Sequence, residues 1–251
     1  SFRTCQRIYY CQTWIWFMRY HFPSLSFADF YKDPDSVREF ALKLEYHDKC
    51  GSHPGLRTNT LDHIDKNFAN YSARKVLSLL GNFDHPEVKY TCVTAFQKIW
   101  RFSSDPNDPV NQGWIHHDGE VMIAAVVYLD PNPLTDNGTS FYDFEGGEII
   151  EIPPTKEYRG VMGECDISDI DDIKWYRENI VKNNQQFKLT MEVKNCYNKA
   201  IVYSGQHMHA QTNYWMPTDD DFRLTQVFFF TDLKLPNHLI PEARITRYGG
   251  I

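Results

Sequence analysis

The segment Trp114-Ile115-His116-His117-Asp118-Gly119 sets two imidazoles and a carboxylate side by side. A second histidine pair, His207 and His209, follows far downstream, ahead of Arg223 in Phe222-Arg223-Leu224-Thr225. Two imidazole nitrogens and one carboxylate on one face of a divalent ion form the donor set of non-haem Fe(II) oxygenase sites, which leave the other positions open for O2 and a cosubstrate. In extended chain, residues i and i+2 point the same way, so His116 and Asp118 can converge on one ion while His117 faces away. The third donor then has to arrive from a later strand. His207 and His209 are both candidates, and His209 is preferred. Arg223 stands at the start of an apolar run, where a guanidinium inside a barrel can grip a carboxylate through two parallel N–H donors. Thr225 shares its face, and Tyr128, closing an earlier apolar run, offers a hydroxyl from a facing strand. Together these would hold a dicarboxylate beside the ion.

The elements that must carry these residues change character along the chain. Asp33 is placed to cap a helix with Pro34 at its first position, and Val37, Phe40, Ala41 and Leu44 fall at helical spacing. The turn-rich Gly51-Ser52-His53-Pro54-Gly55-Leu56-Arg57-Thr58 ends it; this loop either reaches over a site or simply terminates the helix. A second amphipathic helix is predicted over about Ile64 to Leu80, stopped by Gly81. From Val88 strands dominate: Val88–Phe102, then the unbroken apolar Val121–Leu129, whose short β-branched run fits a strand buried on both faces. Another strand starts at Gly138-Thr139-Ser140-Phe141, and Lys199–Ser204 and Arg223–Thr231 return to strand character. Between Glu145 and Asn195 the pattern weakens, and Asp166–Lys182 reads as a helical insertion packed on the outside. Helices first and many short strands after predict an α+β chain whose β part closes as a barrel or jelly roll, with a cavity suited to a metal. The expected organisation is an N-terminal extension over 1–26, a single domain over 27–235 with its insertion near 145–195, and a tail over 236–251.

Composition bounds the rest. The chain has 251 residues, 42% hydrophobic and 15% aromatic, which is too apolar for a disordered protein and enough to bury a core. A formal net charge of -7 argues against a sequence-independent nucleic-acid binder, which needs a basic footprint. Six scattered cysteines without a C-x-x-C pair suggest neither a zinc ribbon nor a disulfide framework, so a reducing, cytoplasmic setting is expected. The aromatic-rich start, Ser1 to His21, is interrupted by Arg3, Arg7, Gln12 and Arg19 and does not read as a signal peptide. No stretch is apolar enough for a membrane span. The missing initiator Met suggests a truncated or processed start.

Taken in order, His116-His117-Asp118, Tyr128-Leu129-Asp130, Gly138-Thr139-Ser140-Phe141, His209 and Arg223-Leu224-Thr225 resemble the 2-oxoglutarate and Fe(II)-dependent dioxygenases, in their prolyl-hydroxylase-like branch. The segment Phe27 to Thr58 looks like the helical entry of uncharacterised bacterial and phage members. The resemblance spans about Phe27 to Thr231 and implies a double-stranded β-helix (jelly roll) core with supporting N-terminal helices. It implies His116, Asp118 and His209 as iron ligands, Arg223 as the partner of the distal carboxylate of 2-oxoglutarate, and Tyr128 and Thr225 as its helpers. The implied reaction consumes O2, converts 2-oxoglutarate to succinate and CO2, and hydroxylates a substrate. That substrate, a small molecule or a peptidyl group, is not written in the chain, nor is the oligomeric state. Two other readings compete: a cupin-type metal-binding barrel in which Arg223 holds no cosubstrate, and a binding protein with a degenerate site. Outside the resemblance, His117 and His207 read as surface or supporting histidines, Phe228-Phe229-Phe230 as core, and Trp114 and Asn213-Tyr214-Trp215 as packing or a substrate mouth.

Overall fold

The computed structural model describes residues 22–47, 53–81, 83–146, 170–236 and 239. The expected extension up to residue 21, the middle of the expected insertion, and nearly all of the tail beyond residue 236 lie outside them. A short strand β1 (Leu25–Phe27) precedes helix α1 (Pro34–Leu42). The Asp33 side chain accepts from the Ser36 backbone N–H at 3.1 Å, and Pro34 costs the helix no hydrogen bond at its first turn. Leu44, expected within this helix, falls just past its end. The last three residues of the expected turn segment form a strand, β3 (Leu56–Thr58), paired antiparallel with β2 (Tyr46–His47). Gly55 permits it: its φ of +67° is left-handed, and a Cβ there would run into the Lys98 carbonyl of the neighbouring strand.

The second predicted helix is α3 (Lys66–Ser78), begun by the Asp65 carboxylate, which caps the Phe68 N–H at 2.9 Å, and a short helix α2 (Leu61–Ile64) that was not expected precedes it. The remaining strands are β4 (Lys89–Ile99), β5 (Ile123–Tyr128), β6 (Thr139–Phe144), β7 (Phe187–Val193), β8 (Ala200–Ser204), β9 (His209–Gln211) and β10 (Arg223–Lys234), with helix α4 (Ile170–Asn184) ahead of β7.

Among the described residues, seven strands form one sheet in the order β1-β8-β5-β10-β4-β3-β2, and three form a second in the order β7-β6-β9. Every pairing is antiparallel. The two sheets make a double-stranded β-helix, the jelly roll, with α1 to α3 on the outside of the larger one. Alternation along the central strands separates two cores. Ile123, Ala125, Val127, Leu224, Phe228 and Phe230 pack with Phe30, Leu61, Val76 and Leu77 against the helices. Ala124, Tyr128, Ile201 and Tyr203 face inward with Phe141 and Val193 of the smaller sheet. This double burial is why Val121–Leu129 reads as an unbroken apolar run.

The described part of the 145–195 interval is built into the molecule rather than laid on it. β7 is a strand of the smaller sheet. Tyr176 and Ile180 of α4 are fully buried against Val110 and Trp114, with the Trp114 and Trp175 rings stacked at 6.2 Å. Cys92 and Cys196, the cysteines among the described residues, are free, and no described helix is long and apolar enough to cross a membrane.

Candidate metal and cosubstrate site

His116 and His209 are brought together by the backbone. Each donates its N–H to the other's carbonyl, at 3.0 and 2.9 Å, in an isolated antiparallel bridge. Directly opposed residues project on the same side, so the two rings stand 4.7 Å apart. Asp118 follows two positions on, its N–H bonded to the Gly205 carbonyl at 2.7 Å. One ligand atom from each of His116, Asp118 and His209 lies within 4.8 Å of the others. His117 and His207 are not in this group: His117 Nδ1 accepts the Gly119 N–H at 3.0 Å, and His207 Nδ1 lies 3.3 Å from the Ser24 hydroxyl while its ring packs on Phe141.

The side-chain chemistry suits a cation. His116 Nδ1 donates to the Trp114 carbonyl and His209 Nδ1 to the His207 carbonyl, each at 2.7 Å. A proton fixed on Nδ1 leaves the Nε2 lone pair free, the tautomer that orienting bonds impose on metal-binding histidines. The two Nε2 atoms lie 3.6 and 3.5 Å from the Asp118 oxygens, too far for strong hydrogen bonds. Asp118 Oδ2 is buried with no hydrogen-bond partner, and a buried carboxylate oxygen left so costs a few kcal/mol unless something positive meets it. Burial pushes the His209 imidazole down to about 4 against the opposing pull of Asp118, so it is neutral at neutral pH. At His116, which is 44% exposed because it opens into the cavity, burial also lowers the pKa, but Asp118 outweighs it and the net direction is up. Burial raises the Asp118 carboxyl, yet His209, His116 and Arg57 together hold it below the usual carboxylate range. Neutral imidazole beside ionised carboxylate is the state a divalent ion binds.

Helix α4 fixes the strand that carries His116. Asn184 accepts the Ile115 N–H at 3.1 Å and donates to the Gly113 carbonyl at 3.0 Å, and Asn183 donates to the Ile115 carbonyl at 3.1 Å. These amides take the place of a neighbouring strand for residues 113–115. Nothing in the polar run Asn183-Asn184 distinguishes it from an ordinary helix end, so sequence reasoning missed it.

The same cavity, about 680 Å³ in volume, reaches Arg223. Arg223 is 4% exposed, donates to Gln211 Oε1 at 2.6 Å, and lies over the Tyr128 ring at 5.1 Å. It forms no ion pair with a described residue, and its Nε is buried without a hydrogen-bond partner. Thr225, on the same face of β10, likewise has a buried, unpartnered hydroxyl. A desolvated guanidinium with no counter-ion calls for an anion. Tyr128 supports this arrangement from below: its hydroxyl bonds Thr139 at 2.8 Å. Tyr203 also lines the cavity, its ring 4.6 Å from that of His209, and so do Pro54 and Arg57, so the loop expected either to reach over a site or to end the helix does border this one. The alternation of β8 would have placed Tyr203 on the inner face.

A jelly roll that gathers two histidines, an aspartate and a buried arginine in one cavity has the fold of the 2-oxoglutarate/Fe(II) oxygenases. Among solved structures, HygX from Streptomyces hygroscopicus with nickel, 2-oxoglutarate and hygromycin B bound is similar over 90% of this chain and 87% of that one, at 13% identity and a TM-score of 0.50. AviO1 from Streptomyces viridochromogenes Tue57 aligns over 86% and 91% at 13% identity and a TM-score of 0.45. A 2OG-Fe(II) oxygenase family oxidoreductase from Burkholderia pseudomallei aligns over 91% of each chain at 8% identity and a TM-score of 0.41. By sequence, residues 19–225 match the family of unknown function DUF6445, and the chain belongs to that family. No curated protein matches it.

Proposed function

We propose that this chain is a 2-oxoglutarate and Fe(II)-dependent dioxygenase that hydroxylates a small-molecule or peptidyl substrate. The reading is carried by one observation: a buried aspartate beside two imidazoles, one of its oxygens without a hydrogen-bond partner, and a buried guanidinium with no ion pair among the described residues share a single cavity. His116, Asp118 and His209 would hold the iron. Arg223 would take the distal carboxylate of 2-oxoglutarate, with the Thr225 hydroxyl beside it and the Tyr128 ring beneath. Bound iron and 2-oxoglutarate supply O2 activation coupled to decarboxylation, giving succinate and CO2 and oxidising a substrate C–H bond. The chain's own part is positioning and exclusion of water. The Trp114 and His207 carbonyls keep each Nδ1 protonated, Asp118 stays ionised, and Gln211 aims the Arg223 fork. HygX, crystallised with nickel and 2-oxoglutarate, supports the cofactor assignment. A cupin-type metal barrel without a cosubstrate gives no reason for a buried, unpaired Arg223. O2-dependent formation of succinate from 2-oxoglutarate by the Fe(II)-loaded protein, slow alone and faster with substrate, is the expected result. Iron-loaded protein that neither binds nor turns over 2-oxoglutarate would overturn the proposal.

A further inference from the structure

The Arg223 end of the cavity holds a donor that no sequence motif assigns to it. Arg223 commits Nη1 to Gln211 at 2.6 Å, and its Nε is buried without a partner, as is the Thr225 hydroxyl. The Tyr128 hydroxyl, which the family resemblance makes a helper of the cosubstrate, is already bonded to Thr139 at 2.8 Å. Another tyrosine is not so engaged. Tyr214 lines the same cavity and is 4% exposed, yet its hydroxyl makes no hydrogen bond with a described residue. The charge felt at that hydroxyl is the charge of Arg223.

Tyr214 is an interior residue held firmly in place, although Asn213-Tyr214-Trp215 reads from sequence as packing or a substrate mouth. Its N–H donates to the Asn111 carbonyl at 2.6 Å, and its ring meets Phe102 edge-on at 5.2 Å. Asn111 is itself fixed: its Oδ1 accepts the Phe102 and Ser103 N–H groups, and its Nδ2 donates to the Ser103 and Asp105 carbonyls. The adjacent Asn213 carbonyl accepts Gln211 Nε2 at 3.1 Å, and Gln211 is the residue that holds Arg223. One amide side chain therefore ties the Tyr214 loop to the guanidinium.

An interior hydroxyl without a protein partner costs free energy, and a guanidinium cannot relieve it by accepting, because it only donates. Burial pushes the Tyr214 phenol above its usual range against the opposing pull of Arg223, so the hydroxyl keeps its proton and acts as a donor. What satisfies Tyr214, Thr225 and Arg223 Nε together is a negatively charged acceptor with several lone pairs. A carboxylate has about four such sites on its two oxygens.

We infer that the Tyr214 hydroxyl is a direct donor to the distal carboxylate of 2-oxoglutarate, completing with Arg223 and Thr225 a seat that selects a 2-oxo dicarboxylate over a 2-oxo monocarboxylate; this rests on the proposed function. Tyr128 keeps the part of a ring beneath the guanidinium, held there by Thr139. Arg223 alone would attract any anion, and the hydroxyls give that attraction a direction.

Calorimetric titration of the Zn2+-loaded protein tests this by comparing 2-oxoglutarate with 2-oxopentanoate, the five-carbon 2-oxo acid that lacks the distal carboxylate. Wild type is expected to prefer 2-oxoglutarate by about 100-fold or more. Tyr214→Phe keeps the ring against Phe102 and removes only the hydroxyl. It should weaken 2-oxoglutarate about tenfold, the scale of one hydrogen bond to a charged group, and leave the affinities for 2-oxopentanoate and Zn2+ unchanged. The preference is a ratio taken within one protein, so a variant that folds less completely still reads the hydroxyl. A preference in Tyr214→Phe equal to that of wild type overturns the inference. An equal loss of both acids also overturns it, as the mark of a tyrosine that only supports the fold. Wild-type protein that binds 2-oxoglutarate no better than 2-oxopentanoate strikes the proposed function as well, whereas failure in Tyr214→Phe alone leaves that function standing.

Discussion

Arg223 and His116 face one cavity from backbones held in very different ways. Arg223 opens β10, which is hydrogen-bonded to β4 on one side and β5 on the other in the middle of the larger sheet. His116 belongs to no strand. It is tied to His209 by one isolated bridge, and on the other side two asparagine side chains of α4 stand in for a strand over residues 113–115. The floor of the site is therefore built into the sheet, and the rim is assembled from parts distant in sequence. Function at the floor should fail only when its own side chains change, whereas function at the rim should also fail through its supports.

The largest effect should come from the rim's own donor. Asp118→Ala removes the one negative charge beside the two imidazoles and is expected to weaken Fe(II) binding by more than about 100-fold, beyond what orienting partners typically contribute. Metal content after dialysis against a weak chelator reads this out. Next is the floor. Arg223→Gln should leave metal content unchanged while weakening 2-oxoglutarate by about 30-fold or more, the scale of losing one partner of a buried charge pair; anaerobic titration separates the two. Loss of iron in this variant would show instead that the two ends of the site are not independent.

Smaller, and sharper as a test of the difference, is Asn184→Ala. It removes a backbone brace without touching either seat, and should weaken metal binding by about tenfold while sparing the folding of the larger sheet. Hydrogen exchange should show the Ile115 amide opening faster, with the β10 amides unchanged. The smallest effect lies at the floor's edge, where Asp130 accepts the Leu224 N–H at 3.1 Å and meets Arg38 at 3.5 Å. Burial pushes this carboxyl up to about 6 despite Leu224, Arg223 and Arg38. The native state then holds the proton more tightly than the unfolded chain, whose Asp titrates near about 4. Stability contributed by Asp130 is full below that value and is lost as pH rises through about 6, on the order of 2 kcal/mol across the window. Urea midpoints measured from pH 4 to 7 should show this slope in the wild type and not in Asp130→Asn.

The same contrast explains what could be read from the sequence. The floor was legible because strands announce themselves locally: Val121–Leu129 and Arg223–Thr231 are β-branched and aromatic runs, and alternation places Arg223 and Thr225 on one face. The His116-x-Asp118 spacing pointed to a shared direction for the same reason. The role of α4 was not legible, because Asn183 and Asn184 act on residues about 70 positions earlier through pairing that no local pattern encodes. Arg57 was hidden in a segment whose Gly55 and Pro54 signal a turn, although the chain recovers after that turn into a strand beside β4. Tyr128 shows the limit of face assignment: its position was inferred, but the tie of its hydroxyl to Thr139 depends on the smaller sheet.

The most direct test is an anomalous-scattering crystal structure of the chain with Zn2+ and 2-oxoglutarate. The expected result is one ion at about 2.1 Å from His116 Nε2, His209 Nε2 and an Asp118 oxygen, with 2-oxoglutarate on its open side and the distal carboxylate paired to Arg223. An ion held by His117 or His207, or a 2-oxoglutarate that leaves Arg223 unpaired, would contradict it.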